Sequence, residues 1–157
     1  MNYTIREMSP AEYPLLNNFL YEAIFIPDGV EAPPKSIIYS PELQVYVADY
    51  GTQTHDRALL AEINGQAVGA VWVRIMNDYG HIDDKTPSLA ISLYKGYRGL
   101  GIGTALMREM LVILKDTGYE QVSLSVQKAN YAVKMYLKLG FEIVSEKEEE
   151  YIMVKRL

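Results

Sequence analysis

Eight residues decide the fold of this chain: Tyr97-Arg98-Gly99-Leu100-Gly101-Ile102-Gly103-Thr104. They follow a short apolar stretch, residues 89–94, that predicts a strand, and they open a run of helically spaced apolar residues that ends near Gly118. Glycine lets the main chain adopt positive φ and approach a ligand closely. The first turn of a helix offers unpaired N–H groups and the positive end of the helix dipole. This order of strand, glycine loop and helix predicts a site for phosphate oxygens.

Two better-known phosphate loops do not fit these residues. A Walker loop needs a lysine after its last glycine, and no lysine occupies that place. A dinucleotide fingerprint needs glycine at its sixth position, and counting from Gly99 that position holds Thr104. The remaining alternative to a phosphate site is a glycine-rich connection that only permits tight packing of the strand against the helix.

The rest of the sequence predicts one mixed α/β domain over residues 1–157. Alternating or apolar stretches predict strands at 2–7, 58–63, 66–76, 89–94, 122–126, 141–146 and 151–156. Apolar residues at helical spacing predict helices at 10–24, at 41–50, from the glycine loop to Gly118, and over 132–139. Asn64-Gly65, between two of the strands, is a strong signal for a type I′ hairpin. The resulting order is β-α-α-β-β-β-α-β-α-β-β.

Composition narrows the classes of function. The 157 residues hold 15 Lys and Arg against 20 Asp and Glu, a net charge of −5, which argues against a broad basic face for nucleic acid. They include no cysteine, which excludes disulfides, thiol nucleophiles and thiolate metal sites. We find neither a signal peptide nor an apolar run of about 20 residues for a membrane helix, so we expect a cytoplasmic location. The acidic run Glu146–Glu150 is expected to form the exposed tip of the last hairpin.

Two motifs resemble those of the GNAT superfamily of acetyl-CoA-dependent N-acyltransferases. They are Arg98-x-x-Gly101-x-Gly103, similar to the acetyl-CoA-binding signature, and Asn130-x-Ala132-x-x-x-Tyr136-x-Lys138-x-Gly140-Phe141, similar to a later helix motif. The predicted order of elements also matches that fold over essentially the whole chain. The resemblance implies a central mixed, mostly antiparallel sheet flanked by helices. It also implies an N-acetyltransferase with acetyl-CoA as co-substrate, in which the amine attacks directly in a ternary complex.

The resemblance assigns coenzyme A to the glycine loop and to the strand before it. Backbone N–H groups of the loop would hold the pyrophosphate, and these belong to Arg98, Gly99, Leu100, Gly101, Ile102, Gly103 and Thr104. Leu93, assisted by Ile91, would pair its backbone with the pantetheine arm as an added strand does. Asn130 would approach the pantetheine or the acyl end. Asparagine at this place is equally an ordinary helix N-cap, and the two roles are compatible.

The resemblance makes Tyr136 the general acid that returns a proton to the departing thiolate. Tyrosine titrates near pH ~10 and a thiol near ~8.5, so the transfer is uphill by about 2 kcal/mol, which an enzymatic barrier tolerates. The alternative is a core aromatic residue with its hydroxyl tied off, because Tyr136 shares an apolar helix face with Met135 and Leu139.

The general base is absent from its usual place. Many members of the superfamily carry a glutamate on the strand before the glycine loop, whereas residues 88–93 read Ser-Leu-Ala-Ile-Ser-Leu. A water relay through Ser92 is one substitute. Titratable residues before the strand are further candidates for the base, unless they form an exposed loop. These residues are Asp78, His81, Asp83 and Asp84. We hypothesise that the acceptor amine has a low pKa, such as the ~7.8 of an α-amine, and therefore depends less on a general base to lose its proton.

The acceptor itself is less constrained by the sequence. In relatives the early loop lines the acceptor side, and the residues predicted to bind the acceptor are Tyr21, Phe25, Asp28, Glu31 and Asp83. The two aromatic residues are equally compatible with ordinary core or surface positions. A small amine is the predicted acceptor, and a peptide or protein amine and a non-catalytic acyl-CoA sensor are the alternatives. No metal site is predicted, and the resemblance permits a homodimer that composition does not decide.

Overall fold

The computed structural model describes residues 2–157. The strands are β1 Thr4–Glu7, β2 Arg57–Ile63, β3 Gln66–Arg74, β4 Ser88–Leu93, β5 Gln121–Gln127, β6 Glu142–Glu146 and β7 Glu150–Arg156. The helices are α1 Leu16–Ala23, α2 Pro41–Gln44, α3 Ile102–Asp116 and α4 Ala132–Lys138, with 3-10 turns at Pro10–Leu15, Lys35–Tyr39 and Lys95–Tyr97. No helix within these residues is long and apolar enough to cross a membrane.

The seven strands form a single sheet in the order β1-β2-β3-β4-β5-β7-β6. Each neighbouring pair is antiparallel except β4 and β5, which run parallel and are joined by the crossover helix α3. The sheet is therefore mixed and mostly antiparallel, with helices on its faces. The predicted fold class is confirmed.

The sheet separates two apolar cores. Helices α3 and α4 cover one side, which we call the α3 face, and α1 with the chain that follows it covers the other, the α1 face. Alternation along β4 sends Leu89, Ile91 and Leu93 to the α3 face and Ala90 and Ser92 to the α1 face. Strand β4 thus presents a different set of side chains to each side of the sheet.

Strands β4 and β5 pair only where they begin. Ser88 is paired with Ser123, and the Ser123 N–H donates to the Pro87 carbonyl over 3.0 Å. Beyond this point the strands diverge toward the glycine loop, and we call the space between them the strand gap. Because backbone N–H and C=O groups require hydrogen-bond partners, the edge of β4 along the gap is available to an extended ligand.

Both predicted hairpins are present. Asn64 and Gly65 adopt φ of 51° and 79°, left-handed at both positions as a type I′ turn between β2 and β3 requires. The acidic run forms the tip of the β6–β7 hairpin, where the Lys147 N–H donates to the Glu150 carbonyl over 2.9 Å. The three residues 147–149 of this tip are exposed, as predicted.

The helix predicted over residues 10–24 has two parts. It begins as the 3-10 turn Pro10–Leu15 and becomes α-helical only at Leu16. Pro14 lies inside the turn and has no N–H to donate, so a regular α-helical ladder cannot run through it.

The helix predicted over residues 41–50 is shorter than expected and ends at Gln44. A buried side chain competes for the carbonyls that would follow. The Arg74 guanidinium donates to the carbonyls of Val45 (3.1 Å) and Ala48 (2.7 Å), which pulls the backbone into successive turns. Tertiary hydrogen bonding has overridden the local pattern here.

Candidate active site

The glycine loop turns from β4 into α3 with unpaired amides. Gly99 and Gly101 have φ of 76° and 86°, in the left-handed region that glycine adopts without strain. The first hydrogen bond of α3 runs from the Ala105 N–H to the Gly101 carbonyl over 3.1 Å. Within residues 2–157, the N–H groups from Gly99 to Thr104 have no hydrogen-bond acceptor. Successive free donors at the positive end of a helix dipole fit a diphosphate.

The space in front of the loop also fits a ligand. A Cβ added to Gly99 or Gly101 would meet no protein atom within 4 Å. Gly103 differs, because its added Cβ would lie 3.2 Å from Leu93 Cδ1. The two interpretations of this loop therefore apply to different glycines: Gly103 permits close packing of α3 on β4, whereas Gly99 and Gly101 leave room for a phosphate.

Arg98 holds the loop in place with its side chain. Its Nε donates to the Leu93 carbonyl (2.9 Å) and a terminal nitrogen donates to the Glu22 carbonyl (3.1 Å), while Glu22 Oε1 lies 3.8 Å from the same guanidinium. The backbone N–H of Arg98 donates to the Lys95 carbonyl over 3.3 Å. This corrects the prediction for the Arg98 amide, which is already paired; the free series begins at Gly99. The guanidinium ties the end of β4 to the end of α1.

The predicted pantetheine edge lies along the strand gap. The Tyr94 N–H donates to the Val68 carbonyl on β3 over 3.0 Å. By alternation, the backbone groups of Leu93 and Ile91 are directed away from β3, toward the gap. The Leu93 carbonyl already accepts from Arg98, which leaves the Leu93 N–H and both backbone groups of Ile91 for an extended ligand.

The end of α4 fixes the position of Tyr136. Gly140 has a φ of 98°, the Phe141 N–H donates to the Tyr136 carbonyl (3.0 Å), and the Gly140 N–H donates to the Leu137 carbonyl (3.1 Å). These bonds form a Schellman motif, which ends a helix at a defined residue. The buried Phe141 ring packs on the Tyr136 ring with 5.8 Å between their centroids. Gly140 and Phe141 therefore hold Tyr136 in place.

The Tyr136 side chain is buried, but its hydroxyl is not tied off. The residue is 7% exposed, it borders the main cavity, and its hydroxyl makes no hydrogen bond within residues 2–157. Burial, with a smaller contribution from Tyr131, raises the pKa of Tyr136 above its ordinary value, so the phenol keeps its proton. A neutral and unpartnered phenol at the cavity wall is able to donate a proton there.

Asn130 lies two residues before the start of α4 and also borders the main cavity. Its Oδ1 accepts a hydrogen bond from the Ala132 N–H over 2.9 Å, which is the capping role. The cap uses the side-chain oxygen. The side-chain NH2 group remains available to donate to a ligand in the cavity that this residue lines. The two roles considered from the sequence are thus geometrically compatible.

The main cavity connects all of these elements. It has a volume of about 800 Å³ and is bounded by the glycine loop, β4, α4 and the acceptor segment, residues 21–32. The predicted site residues that line it are Tyr21, Phe25, Asp28, Ile91, Leu93, Arg98, Gly99, Gly101, Gly103, Thr104, Asn130 and Tyr136. The coenzyme elements and the acceptor segment therefore share one space.

Four predicted residues lie outside the cavity lining. The Ile102 side chain is buried in the core and that of Leu100 is 50% exposed, so only their amides stay candidates. Glu31 is exposed. Asp83 precedes β4 at the end far from the glycine loop, and a hydrogen bond from the Lys85 N–H (2.8 Å) lowers its pKa. Neither Glu31 nor Asp83 lines the main cavity, although Glu31 belongs to the acceptor segment.

Two hydroxyl groups that line the cavity donate to backbone carbonyls. Ser92 Oγ donates to the Phe19 carbonyl and the Tyr21 hydroxyl to the Pro33 carbonyl, each over 2.6 Å. A hydroxyl has one proton to donate. A relay through Ser92 would therefore end at a carbonyl, which is not a base, and the structure does not support that route.

Two charged residues of the cavity wall, Glu22 and Lys95, are not among the predicted site residues. Glu22 is next to Tyr21 on the first helix, and Lys95 lies two residues after Leu93, the last residue of β4. The side of α1 that faces the gap depends on how the helix docks on β4. No local pattern encodes that docking, so the sequence offers no signal for either residue.

A second cavity, of about 370 Å³, lies at the C-terminal end of α3 and is bordered by Leu114 and Thr117. His55 Nδ1 and the Tyr119 hydroxyl form a hydrogen bond of 2.5 Å beside it. None of the predicted site residues lines it. Within residues 2–157, no group of three or more His, Asp or Glu side chains is arranged to hold a metal ion. The chemistry predicted from the sequence therefore belongs to the main cavity.

Acyl transfer from coenzyme A needs donors for a diphosphate, a strand edge for an extended arm and a group that returns a proton to sulfur, and the main cavity contains all three. The fold and the cavity together have the features expected of a coenzyme A-dependent acyltransferase. The model of the "Acetyltransferase (GNAT) family" matches residues 24–141, and the chain belongs to this family. Acetyl-CoA is the family's acetyl donor.

Two curated relatives are similar to this chain. N-alpha-acetyltransferase 50 of Danio rerio is 36% identical over 96 residues, which cover 60% of this chain and 56% of that protein. An N-alpha-acetyltransferase of Sulfurisphaera tokodaii is 31% identical over 113 residues, which cover 62% of this chain and 68% of that protein. The chain thus spans little more than half the length of the zebrafish relative.

Solved structures agree on the fold. The PaiA N-acetyltransferase of Thermoplasma acidophilum, in complex with coenzyme A, has a TM-score of 0.73 and 21% identity, with 100% of each chain covered. A GNAT-family acetyltransferase of Streptococcus pneumoniae has a TM-score of 0.73 and 25% identity, with 99% of each chain covered. The fold similarity extends over essentially all of this chain.

Proposed function

We propose that this enzyme acetylates α-amino groups at the N-termini of peptides or proteins. The observation that carries the proposal is the composition of β4, whose six residues along the strand gap include no carboxylate. An α-amine with a pKa near ~7.8 is about one part in seven neutral at pH 7, whereas a lysine-type amine near ~10.4 is neutral in about one part in 2,500. A site without a strong base beside the thioester therefore favours the α-amine by roughly 300-fold in reactive species.

The names of the relatives support the same acceptor. The zebrafish and Sulfurisphaera proteins are both named as N-alpha-acetyltransferases. The similarity covers about 60% of this chain and leaves part of each relative unmatched. The acceptor of this chain is consequently a proposal and not a property transferred from them.

Coenzyme binding would fall to backbone groups of the main cavity. The free amides from Gly99 to Thr104 would hold the diphosphate, and the backbone of Ile91 and Leu93 would bind the extended arm. Acetyl-CoA supplies the activated acetyl thioester. Salt limits the repulsion between the net charge of −5 and the phosphates of the coenzyme to a range of about 8 Å. The amide donors, in contrast, would touch the phosphates directly.

Tyr136 would return the proton to the leaving sulfur. Its raised pKa makes the phenol a weaker acid than free tyrosine. The same desolvation acts on a thiolate in the same cavity and raises its proton affinity as well. The difference between the two groups decides the cost, so the desolvation that they share makes the transfer less costly than the shift of Tyr136 alone would imply.

A small amine is the second candidate acceptor, favoured by two carboxylates at the cavity wall. Glu22 and Asp28 both line the cavity, and an amine that arrives as a cation is attracted to them. A volume of about 800 Å³ also has room for such a molecule beside the coenzyme arm. A non-catalytic acyl-CoA sensor is the third candidate and differs from both in releasing no free coenzyme A.

An acceptor panel tests the proposal. The panel contains a lysine-free peptide with a free N-terminus, an Nα-acetylated peptide with one lysine, and an unbranched alkyl diamine. We expect thiol release and a gain of one acetyl group with the first peptide and at least ten-fold less with the other two. Preference for the diamine would favour the small-amine candidate. Thermal stabilisation by acetyl-CoA without thiol release on any amine would favour the sensor.

Three further expectations remain predictions. These are the cytoplasmic location, the homodimer and the organisation of residues 1–157 as one domain. Sedimentation of the purified chain at several concentrations addresses the second, and limited proteolysis addresses the third.

A further inference from the structure

The α1 face of the strand gap carries a polar stripe. Serines occupy it on both strands: Ser88 and Ser92 on β4, Ser123 and Ser125 on β5. Ser88 and Ser123 are 1% and 0% exposed, so their hydroxyls need partners inside the protein. Ser92 and Ser123 donate to backbone carbonyls, whereas Ser88 Oγ donates to a carboxylate, that of Asp78, over 2.8 Å.

Asp78 is a partly buried carboxylate with no cation beside it. The Tyr46 hydroxyl is within hydrogen-bonding reach of both Asp78 and Ser125. No ion pair within residues 2–157 includes Asp78. The carboxylate therefore accepts a hydrogen bond from the Ser88 hydroxyl of β4, and the neutral hydroxyl of Tyr46, from the turn after α2, lies close to it and to Ser125 of β5.

The environment of Asp78 favours its protonated form more than water does. Burial raises the pKa of Asp78, and hydrogen bonds from Ser88 and Tyr46 offset this only in part. Burial likewise raises the pKa of Tyr46, so that its hydroxyl stays neutral. The other titratable groups of the loop are Tyr79, which is 50% exposed, His81, whose Nε2 lies 4.0 Å from an oxygen of Asp84, and the exposed Asp83, Asp84 and Lys85. Asp78 is thus a stronger proton acceptor than a surface carboxylate.

These groups meet the strand gap at its narrow end. Ser125 lies two residues beyond Ser123, the residue that pairs with Ser88, and is therefore about 7 Å further into the gap. Ala90 is equally far along β4, on the same face, and is partly exposed. In the register set by Ser88 and Ser123, Ala90 and Ser125 therefore lie opposite each other across the gap.

We propose that Asp78, acting through the hydroxyls of Tyr46 and Ser125, takes up the proton of the acceptor amine. Unlike a glutamate on β4, Asp78 would not lie beside the thioester. It would act from another element, on the face of the sheet opposite the glycine loop and only through two hydroxyls, so it would assist an amine that already has a low pKa. This inference rests on the proposed N-acetyltransferase function and adds the group that receives the proton.

Asp78 and Tyr136 together account for every proton that moves during acetyl transfer. The ammonium form of the acceptor gives one proton through the hydroxyls to Asp78, and the neutral nitrogen attacks the thioester carbon. The C–N bond forms, and the C–S bond breaks with its electron pair on sulfur. Tyr136 protonates the sulfur and regains a proton from the nitrogen, which becomes the amide. Asp78 releases the first proton to solvent.

The test is Asp78→Asn, assayed with one peptide α-amine between about pH 6.5 and pH 9. Such an amine is about 5% neutral at the lower pH and more than ~90% neutral at the higher. We expect kcat/KM of the variant to be at least about ten-fold below wild type at pH 6.5 and within about two-fold of it at pH 9. A merely structural role would lower activity by one factor at every pH.

Three further variants keep the test decisive. Asp78→Glu is expected to recover part of the rate, and Tyr46→Phe is expected to show the same pH-dependent deficit, which serves as the test if Asp78→Asn does not fold. Asp116→Asn, the same substitution at the exposed end of α3, is expected to match wild type. Full activity of Asp78→Asn at pH 6.5, or a deficit independent of pH, would overturn the relay. A wild type that acetylates no amine would overturn the proposed function instead.

Discussion

Tyr136 shows how far one residue's position follows from its neighbours in sequence. The Gly140-Phe141 pair is visible in the sequence, and the structure shows why it matters: the pair closes a Schellman motif on the Tyr136 carbonyl. Whether the hydroxyl is tied off is a different question, because a partner would come from elsewhere in the chain. The sequence leaves that alternative open, and only the packed structure shows a hydroxyl free at the cavity wall.

Tyr136→Phe tests the role of that hydroxyl. We expect kcat to fall by about 10²-fold, because general acid catalysis of this kind contributes 10²–10⁴-fold, while the Kd for acetyl-CoA changes by less than about two-fold. Steady-state kinetics and calorimetry measure the two quantities. Tyr39→Phe, at a side chain that is 69% exposed, is the matched control. Loss of melting temperature with retained kcat would show that the hydroxyl is structural.

Asp78 and Asp83 show the limit of the sequence at this scale. The two aspartates belong to one polar loop, and nothing in the local pattern separates them. In the structure, Asp83 binds the Lys85 amide at the surface, while Asp78 is partly buried against Ser88. Burial raises the pKa of Asp78, whereas the hydrogen bond from the Lys85 amide lowers the pKa of the exposed Asp83. Residue type and spacing carry no information about that difference.

At the scale of elements, the junction of β4, the glycine loop and α3 is the best-predicted part of the molecule. Strand, loop and helix are consecutive, so local propensity and glycine conformation are enough to predict them. The structure adds that Gly101 begins the helix in the left-handed region, with open space where its side chain would be. The same helix ends near Gly118, which has a φ of 95° and equally open surroundings.

These two glycines form a matched pair for a test of the loop. An alanine at either left-handed position costs about 1 kcal/mol of stability. Gly101→Ala also places a methyl group where the diphosphate would bind, so we expect its Kd for acetyl-CoA to rise at least ten-fold. Gly118→Ala is expected to lose the same stability and to keep the affinity. Thermal melts and calorimetry measure both, and equal affinities in the two variants would contradict a phosphate site at the loop.

At the scale of the whole molecule, one buried ion pair joins distant segments. Arg74 and Asp56 are each 1% exposed and form two hydrogen bonds of 2.9 Å. Burial alone would raise the pKa of Asp56, but Arg74 and the amides of Gln53 and Gly51 together lower it below its ordinary value. The pair connects the end of β3 to the loop before β2, and Arg74 also shapes the turns after α2.

Asp56→Asn tests the contribution of this pair to stability. Removing one partner leaves the Arg74 charge buried, so we expect the free energy of unfolding to fall by about 3–5 kcal/mol in urea titrations. Because the folded pKa of Asp56 is lowered, its stabilisation is present above the unfolded value near ~3.9 and is lost as pH falls through the folded one.

The wild type should therefore lose stability below about pH 4 through Asp56, and the variant should lack that part of the dependence. Glu148→Gln, at an exposed carboxylate, is the control and is expected to change stability by less than about 0.5 kcal/mol. A variant as stable as wild type would show that Arg74 is satisfied by its carbonyl partners alone.

Interactions among neighbouring residues are enough to predict the glycine loop ahead of α3, the Asn64-Gly65 hairpin, the order of elements and the helix that carries Tyr136. Backbone conformation and side-chain periodicity act over a few residues, so they are readable without the fold. The tertiary structure decided which groups from distant segments meet. It placed Glu22 in the cavity, removed Asp83 from it and brought Asp78 to the strand gap, since docking, burial and long-range hydrogen bonds depend on the whole packed chain.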